Sequence, residues 1–202
     1  MKRRIMLVVA YDGTGYKGWQ IQPEAVTIEG VLNKELSRLL KEDIHVIGAS
    51  RTDSGVHAEG AVCVFDTEAF IPADKFSFAL NQSLPADIRV LRSREVPPEF
   101  HPRREKCLKT YRYSIWNDTF ELPTKRLYTY WLHGSLDADR MRTAAELLVG
   151  EHDFKSFSKD KPQMPESTVR RITSAEVLRE GHQVDIYITG NGFLYNMVRI
   201  IA

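Results

Sequence analysis

The sequence has few cysteines and no arrangement of them that would hold a metal. Cys63 and Cys107 are the two in its 202 residues. Neither belongs to a Cys-x-x-Cys pair or a Cys/His cluster, so no metal site is predicted. Both lie in apolar, strand-like runs, and we expect two buried thiols in a reducing compartment. A disulfide between them is the alternative.

Long apolar runs are also missing. The apolar run after the basic N-terminus covers only residues 5–10, which is too short for the central region of a signal peptide. No stretch approaches the roughly 18 apolar residues of a membrane-spanning helix. We therefore expect a cytoplasmic protein that has no membrane partner.

Neither sign of charge is in excess. The sequence has 28 Lys and Arg against 27 Asp and Glu, for a net charge of +1, so a nucleic-acid site would have to be a local basic patch. Residues 12–18 carry three glycines. The helix into which a dinucleotide-binding loop opens does not follow directly, because residues 19–23 intervene, and there is no Walker A lysine motif. We predict no nucleotide cofactor.

Apolar periodicity predicts strands and helices in alternation, and therefore an α+β fold. Thr27 is a suitable N-cap for a helix over residues 27–40. Pro97 and Pro98 break the pattern, after which it starts again, so we expect two α+β halves, residues 1–100 and 101–202. Other predicted helices cover residues 74–81 and 137–149, and one begins at Phe193; predicted strands cover residues 5–11, 44–49, 61–65, 88–96, 108–116, 128–132, 172–178 and 184–188.

Two segments of the second half lead to expectations about mobility and length. Residues 157–168 are polar and contain two prolines, which favours a mobile loop. The helix predicted from Phe193 is still apolar at Ala202, with no cap or glycine to end it. We expect the natural second half to continue beyond this point.

The segment RTDSGVHA, residues 51–58, carries the clearest sign of chemistry. It lies between two predicted strands, where a rigid frame positions functional loops. Arg51 stands two residues before Asp53, and a neighbouring guanidinium keeps a carboxylate ionised and oriented, as a nucleophile or general base requires. On the local pattern alone, a surface Arg–Asp pair in a turn is the commoner outcome. His57 is interpreted as a hydrogen-bonded loop histidine, since nothing places a second base or a hydroxyl nucleophile beside it.

Residues 102–113 form the densest basic stretch of the chain. Cations that contact phosphates alternate there with tyrosine rings that stack on bases, and this combination suits RNA. In a strand over residues 108–116, Tyr111 and Tyr113 face the same side. A basic edge strand that resists aggregation is the alternative. The candidate phosphate-binding side chains are Arg103, Arg104, Lys106 and Lys109.

Together these motifs closely resemble those of one family, the bacterial tRNA pseudouridine synthases of the TruA type. The resemblance extends over nearly the whole chain, and its most specific part is the string R-T-D-x-G-V-H-A. The matching elements are GWQIQ (residues 18–22), RTDSGVHA (51–58), NQSLP (81–85), KTYRY (109–113), GEHDFKSF (150–157) and FLYNMVR (193–199).

The resemblance implies a pseudouridine synthase fold, in which two related α+β halves share a mixed, mainly antiparallel sheet with a central basic cleft. It also implies that Asp53 is the catalytic carboxylate and that Arg51 pairs with it. Tyr111 would stack on the target base and could take part in proton transfer. Arg199 would hold Asp53 in its ionised form from the other side of the cleft.

The same resemblance implies a substrate and an assembly. The family acts on tRNA as a homodimer, and its usual targets are uridines 38, 39 and 40 of the anticodon stem-loop. Making pseudouridine breaks the N1–C1′ bond, turns the base and forms a C5–C1′ bond, so no cofactor is needed. Asp53 could attack C1′, add to C6 of the ring or abstract the C2′ proton, and the sequence does not choose among these routes.

Two other functions fit part of the pattern. A non-catalytic RNA-binding module would explain the basic, aromatic segment equally well, but a carboxylate at Asp53 repels phosphate and has no evident use in such a module. A hydrolase of nucleoside bonds would use Asp53 similarly and would more typically need a second carboxylate as the acid. Glu59 and Asp66 are the nearest carboxylates, and nothing in the pattern marks either.

Overall fold

The computed structural model describes residues 2–105, 107–159 and 166–202. The chain folds into two compact units, Met1–Glu105 and Lys106–Ala202. The described strands form two sheets, one in each unit, and most strand pairs are antiparallel. The mixed, mainly antiparallel α+β class that the resemblance implies is confirmed, with a separate sheet in each unit. None of the described helices is long and apolar enough to cross a membrane.

The first unit is a four-stranded antiparallel sheet with two helices packed against it. Its strands are β1 (Arg3–Tyr11), β2 (Ile47–Gly48), β3 (Ala58–Thr67) and β4 (Ile88–Val96), in the spatial order β2-β3-β1-β4. Its helices are α1 (Ile28–Leu40) and α2 (Phe76–Asn81), and a 3-10 turn at Ala73–Lys75 leads into α2.

The main core of this unit lies between the sheet and the two helices. Alternate residues of β1 point into it, because successive side chains of a strand face opposite sides. Helix α1 contributes residues at helical spacing. The largest fully buried side chains of this core are Trp19, Phe65, Phe76, Ile5, Leu7, Ile28, Leu32, Leu36, Leu80 and Ile88.

Helix α1 begins where the sequence predicts, because Thr27 caps it. The Thr27 hydroxyl accepts a hydrogen bond from the Gly30 N–H at 3.2 Å, which satisfies one of the unpaired donors of the first turn. The N–H of Glu29 donates to the Trp19 carbonyl at 3.0 Å. The first turn of α1 therefore fixes the loop that connects it to β1.

A smaller apolar cluster covers the opposite face of this sheet. Its buried members are Met6, Val64 and Val96. Phe100 packs against them from the segment after β4, and its carbonyl accepts a hydrogen bond from Arg4 at 2.9 Å. The Arg4 guanidinium also reaches across the β1–β3 pair to Asp66 through two bonds of 2.7 Å, from Nε to Oδ1 and from Nη2 to Oδ2. Arg4 thus stabilises both the β1–β3 pair and the segment that follows β4.

The second unit is a five-stranded sheet whose apolar face packs against two helices. One pair, β5 with β6, is parallel. The strands are β5 (Lys109–Asn117), β6 (Tyr130–Leu132), β7 (Gly150–Asp153), β8 (Val169–Glu180) and β9 (Gln183–Gly190), in the spatial order β6-β5-β9-β8-β7. The helices are α3 (Ala138–Glu146) and α4 (Met197–Ile201), with a 3-10 turn at Lys155–Phe157.

The strand predicted over residues 44–49 is much shorter than expected, because its backbone donors bond elsewhere. The Ile44 N–H donates to Ser37 Oγ at 2.9 Å, and the Val46 N–H donates to Asn33 Oδ1 at 2.8 Å. Both acceptors belong to α1. Residues 44–49 do alternate between more and less buried positions, as the predicted strand requires. Only Ile47 and Gly48, which form β2, pair with a neighbouring strand.

The helix predicted from Phe193 begins four residues later, at Met197. Asn196 has φ of 59°, in the left-handed region that asparagine tolerates and that interrupts a right-handed helix. β7 was not predicted, because its four residues are largely exposed and show no alternation. Of the loop predicted over residues 157–168, residues 160–165 lie outside the part of the chain that the structure describes.

The two cysteines differ in environment, and the expectation of two buried thiols is wrong for Cys107. Cys63 lies in β3 within the core, and burial raises the pKa of its thiol to about 12. Cys107 is exposed, since it precedes β5 and has no strand partner to cover it. Both thiols are free, so the alternative of a disulfide between them is also wrong.

Replacing Asp66 with Asn should lower the free energy of unfolding by about 1 kcal/mol at neutral pH. The Arg4 hydrogen bonds lower the pKa of Asp66 below its usual 3.8. The stability difference between native and variant protein should therefore be complete above that value and disappear as the pH falls through the lowered pKa. Urea unfolding over a series of pH values measures it.

Asp74→Asn is the matched control, because its carboxylate contacts Lys75 with both side chains more than half exposed. We expect a change within about 0.5 kcal/mol. An equal loss in both variants, or an Asp66→Asn loss that persists in strong acid, would contradict the assignment.

Candidate functional site

Asp53 lies on the loop that joins β2 to β3, residues 49–57, which is called the Asp53 loop below. The side chains of Arg51 and Asp53 are both exposed. Within the described parts of the chain, no hydrogen bond or ion pair engages the Asp53 carboxylate, from Arg51 or from any other side chain. The carboxylate is therefore open to solvent and to a ligand.

The backbone on both sides of Asp53 is fixed, in contrast to its side chain. The Thr52 carbonyl accepts a hydrogen bond from the Trp19 N–H at 3.1 Å. The Tyr16 carbonyl accepts two, from the Gly55 N–H at 3.3 Å and from Ser54 Oγ at 3.2 Å. These contacts join the Asp53 loop to residues 12–19, which are called the glycine loop below.

Two glycines bring the two loops into direct backbone contact. A Cβ added to Gly18, whose φ is +88°, would lie 2.6 Å from the Thr52 carbonyl oxygen. A Cβ added to Gly13 would lie 2.1 Å from the Val56 carbonyl oxygen. No other residue leaves room for these approaches. The glycine spacing that resembles a nucleotide-binding motif in the sequence is here a packing device that holds the Asp53 loop.

Two aromatic side chains, Trp19 and Tyr11, contact the residues at the start of the same loop. Trp19 is 1% exposed, and a Cβ on Gly48 would lie 2.6 Å from its indole ring. The Tyr11 hydroxyl and Thr52 Oγ1 are 2.8 Å apart and share a hydrogen bond. Gly48 is the last residue of β2, so the ring of Trp19 lies directly against the start of the Asp53 loop.

His57 closes the loop, and the interpretation of a hydrogen-bonded loop histidine is confirmed. Its Nδ1 accepts a hydrogen bond from the Gly13 N–H at 3.1 Å, which requires that nitrogen to carry no proton. Asp12 Oδ1 also lies 3.1 Å from Nδ1, and it could accept a hydrogen bond from that nitrogen only when Nδ1 carries the proton. Both contacts tie His57 to the glycine loop.

The basic segment contributes side chains to both units. Arg103 and Arg104 are exposed in the first unit, and Arg103 Nε donates to the Gly48 carbonyl at 2.8 Å, at the base of the Asp53 loop. Lys109 opens β5 in the second unit and is half-buried. Lys106 lies outside the described residues.

Tyr111 and Tyr113 lie on one side of β5, as the alternation predicts. The Tyr111 ring packs against Phe193 in an edge-to-face arrangement, with centroids 4.8 Å apart and planes at 73°. Burial raises the pKa of the Tyr113 hydroxyl, while the positive charge of Arg199 lowers it. The charge of Arg199 acts on Tyr113 because the two residues are near each other within the second unit. Arg199 is exposed on α4.

The predicted site residues are divided between the units. Arg51 and Asp53 belong to the first unit, and Tyr111 and Arg199 to the second. Among the described residues, no group of three or more His, Cys, Asp or Glu side chains lies together in a way that could hold a metal ion. The residues that sequence reasoning missed are Tyr16, Gly13 and Gly18, whose only signal was the glycine punctuation of their loop.

Comparison with known proteins gives a consistent result over the whole chain. A family model described as tRNA pseudouridine synthase matches residues 7–103 and 144–202. These ranges contain the Asp53 loop, Arg103 and Arg199, whereas Tyr111 lies between them.

Curated relatives match at high identity. The protein named tRNA pseudouridine synthase A of Ruminiclostridium cellulolyticum is 48% identical over 201 residues, which cover 99% of this chain and 82% of that protein. The protein of the same name from Caldicellulosiruptor bescii is 44% identical over 200 residues, again 99% and 82%. A Clostridium tetani protein named tRNA pseudouridine synthase A 2 is 44% identical over 204 residues, which are 100% of this chain and 82% of that protein.

Replacing Gly18 with Ala should displace the Asp53 loop and lower the free energy of unfolding by about 1–3 kcal/mol. Both the positive φ of Gly18 and the 2.6 Å approach to the Thr52 carbonyl act against a Cβ there. Denaturant unfolding measures the loss, and the amide NMR shifts of Thr52 and Asp53 report the displacement.

Gly15→Ala is the matched control in the same loop. Nothing lies within 4 Å of a Cβ added at Gly15, so its stability should change by no more than about 0.5 kcal/mol and the shifts of Thr52 and Asp53 should stay in place. If both alanine variants behaved alike, the proposed contact between the loops would be wrong.

Proposed function

The chain belongs to the tRNA pseudouridine synthase family, and on that premise we propose that Asp53 is its catalytic carboxylate. The enzyme isomerises uridine to pseudouridine in tRNA. The observation that carries the role of Asp53 is the contrast described above: a side chain that has no partner among the described residues stands on a backbone held at both of its neighbours. A backbone held in place and a carboxylate open to the substrate suit nucleophilic or general-base chemistry.

The reaction balances within the substrate and needs no cofactor. The N1–C1′ bond breaks, the uracil turns, the C5–C1′ bond forms, and the proton of C5 is released while N1 gains one. Asp53 assists by attack at C1′, by addition to C6 or by abstraction of the C2′ proton. All three routes require an ionised, exposed carboxylate beside a nucleotide that has left its base stack.

Three further residues complete the proposed site. Arg51 pairs with Asp53 once the substrate has excluded water, since both side chains are exposed on one loop. Tyr111 stacks on the target base, and its contact with Phe193 fixes the orientation of its ring before the substrate arrives. Arg199 keeps Asp53 in its ionised form.

The remaining features of the proposal concern the partner. Arg103, Arg104, Lys106 and Lys109 contact tRNA phosphates, because cations clustered beside an active site neutralise the backbone. The targets are uridines 38, 39 and 40 of the anticodon stem-loop, and the enzyme acts as a homodimer in the cytoplasm, where its tRNA substrates are found. These assignments rest on the family resemblance and on the exposed cations Arg103 and Arg104.

Asp53→Asn should lower pseudouridine formation by at least about 1,000-fold, the range expected when a positioned acid–base or nucleophilic group is lost. The assay uses tRNA tritiated at uridine C5, because forming the C5–C1′ bond releases that tritium to water. Binding of tRNA by the variant should be retained.

Asp43→Asn serves as the control for loss of an exposed charge, since the Asp43 side chain is 89% exposed. It should release tritium at the native rate. Undiminished release by Asp53→Asn would refute the role of Asp53, and tRNA binding without release by the native protein would favour an RNA-binding module.

Tyr111→Ala should weaken tRNA binding by about 1–3 kcal/mol through the loss of one stacked base. Tyr111→Phe should bind tRNA as the native protein does, and any loss of its turnover then measures the contribution of the hydroxyl to proton transfer. Phe120→Ala is the control, because that ring is 78% exposed in the same unit and has no proposed role. Equal binding by all three variants would rule out stacking on Tyr111.

A further inference from the structure

Tyr16 is the residue through which the Asp53 loop is attached to the rest of the first unit. Its side chain is 6% exposed and belongs to the core between the sheet and the helices. Its carbonyl accepts the hydrogen bonds from Ser54 and Gly55, on the two residues that follow Asp53. A shift of Tyr16 would therefore move the backbone that carries the Asp53 side chain.

Asp87 fixes Tyr16 from a distant part of the sequence. The Tyr16 hydroxyl donates to Asp87 Oδ1 at 2.7 Å. Burial, together with this hydrogen bond, raises the pKa of the Tyr16 hydroxyl, so the group remains a donor at all physiological pH values. Asp87 lies between α2 and β4, and 71 residues separate it from Tyr16.

The backbone of Asp87 holds the other end of the same loop. Its carbonyl accepts a hydrogen bond from the Asp12 N–H at 2.9 Å, and the Tyr16 N–H donates to the Gly13 carbonyl at 3.0 Å. One residue thus contacts the glycine loop at both positions 12 and 16. Asp87 itself is exposed and has no apolar packing role that would account for this arrangement.

We propose that Asp87 is a positioning residue for the pseudouridine reaction, and that it acts through Tyr16 on the placement of Asp53. This inference rests on the proposed catalytic role of Asp53. The order of contacts is Asp87 carboxylate, Tyr16 hydroxyl, Tyr16 carbonyl, and then the Ser54 hydroxyl and the Gly55 N–H, on the two residues after Asp53. A misplacement of reacting groups by about 1 Å reduces a rate about 100-fold, so a small shift along this path acts on the chemical step.

The test compares Tyr16→Phe, Asp87→Ala and Asp87→Asn by single-turnover tritium release. The first two should lower the rate constant about 10- to 100-fold while the Kd for tRNA stays unchanged, because neither residue is part of the proposed tRNA contacts. Asp87→Asn should retain at least half of the native rate, since the amide oxygen still accepts the Tyr16 hydrogen bond. The double variant Tyr16→Phe/Asp87→Ala should be no slower than the slower single variant, because both changes break the same bond.

Thermal unfolding of each variant separates positioning from stability. A rate that stays native while the melting temperature falls would overturn the proposal, as would a rate loss matched by an equal loss of tRNA affinity. Additive losses in the double variant, or an Asp87→Asn rate as low as that of Asp87→Ala, would also overturn it. Asp87 is exposed and its replacement leaves no cavity, so the Asp87 variants decide the matter if Tyr16→Phe does not fold.

Asp53→Asn, assayed beside them, keeps the two proposals distinguishable. If Asp53→Asn is inactive and both Tyr16→Phe and Asp87→Ala are native, only the positioning role fails. If Asp53→Asn remains active, the proposed catalytic role fails whatever the other variants do. Asp43→Asn should be native in every comparison.

Discussion

The close approach of two backbones determines how the first unit presents its functional loop. Gly13 and Gly18 bring the glycine loop against the Asp53 loop at distances that leave no room for a side chain. Trp19 lies beneath the same contact, and the first turn of α1 holds the Trp19 carbonyl. The Asp53 carboxylate therefore stands on a support that reaches from helix α1 into the sheet, and no described side chain bonds to the carboxylate itself.

A held backbone with an open side chain suits the catalytic role that we propose for Asp53. Hydrogen bonds to Asp53 from the protein would fix its side chain, but they would also occupy the oxygens that the proposed role requires. Here the backbone that carries Asp53 is held through the Thr52 carbonyl, the Ser54 hydroxyl and the Gly55 N–H, and the described residues leave the carboxylate oxygens open. In the second unit, contact with Phe193 likewise restricts the orientation of the Tyr111 ring.

Sequence reasoning succeeded where the controlling interactions are local and failed where they are tertiary. Thr27 signals the start of α1, and the alternation of residues 88–96 coincides with β4. The strand at residues 44–49 and the helix at Phe193 were overestimated, because side-chain acceptors of α1 and a left-handed Asn196 decide those segments. The Asp53 motif was recognisable as a string. The packing role of Gly13 and Gly18 could not be recognised, because it depends on contact with the Asp53 loop, nearly 40 residues away.

The burial of Cys63 gives this enzyme an internal reporter of its own folding. Cys63 pairs across the sheet with Gly48, the residue under the Trp19 ring, and its raised pKa leaves almost no thiolate to react. Cys107 is exposed. A thiol reagent will therefore modify one cysteine of the native chain quickly, and it will reach the second only through openings of the sheet beside the Asp53 loop. The labelling rate of Cys63 thus reports, in solution and without any engineered residue, how often the sheet beside the Asp53 loop opens.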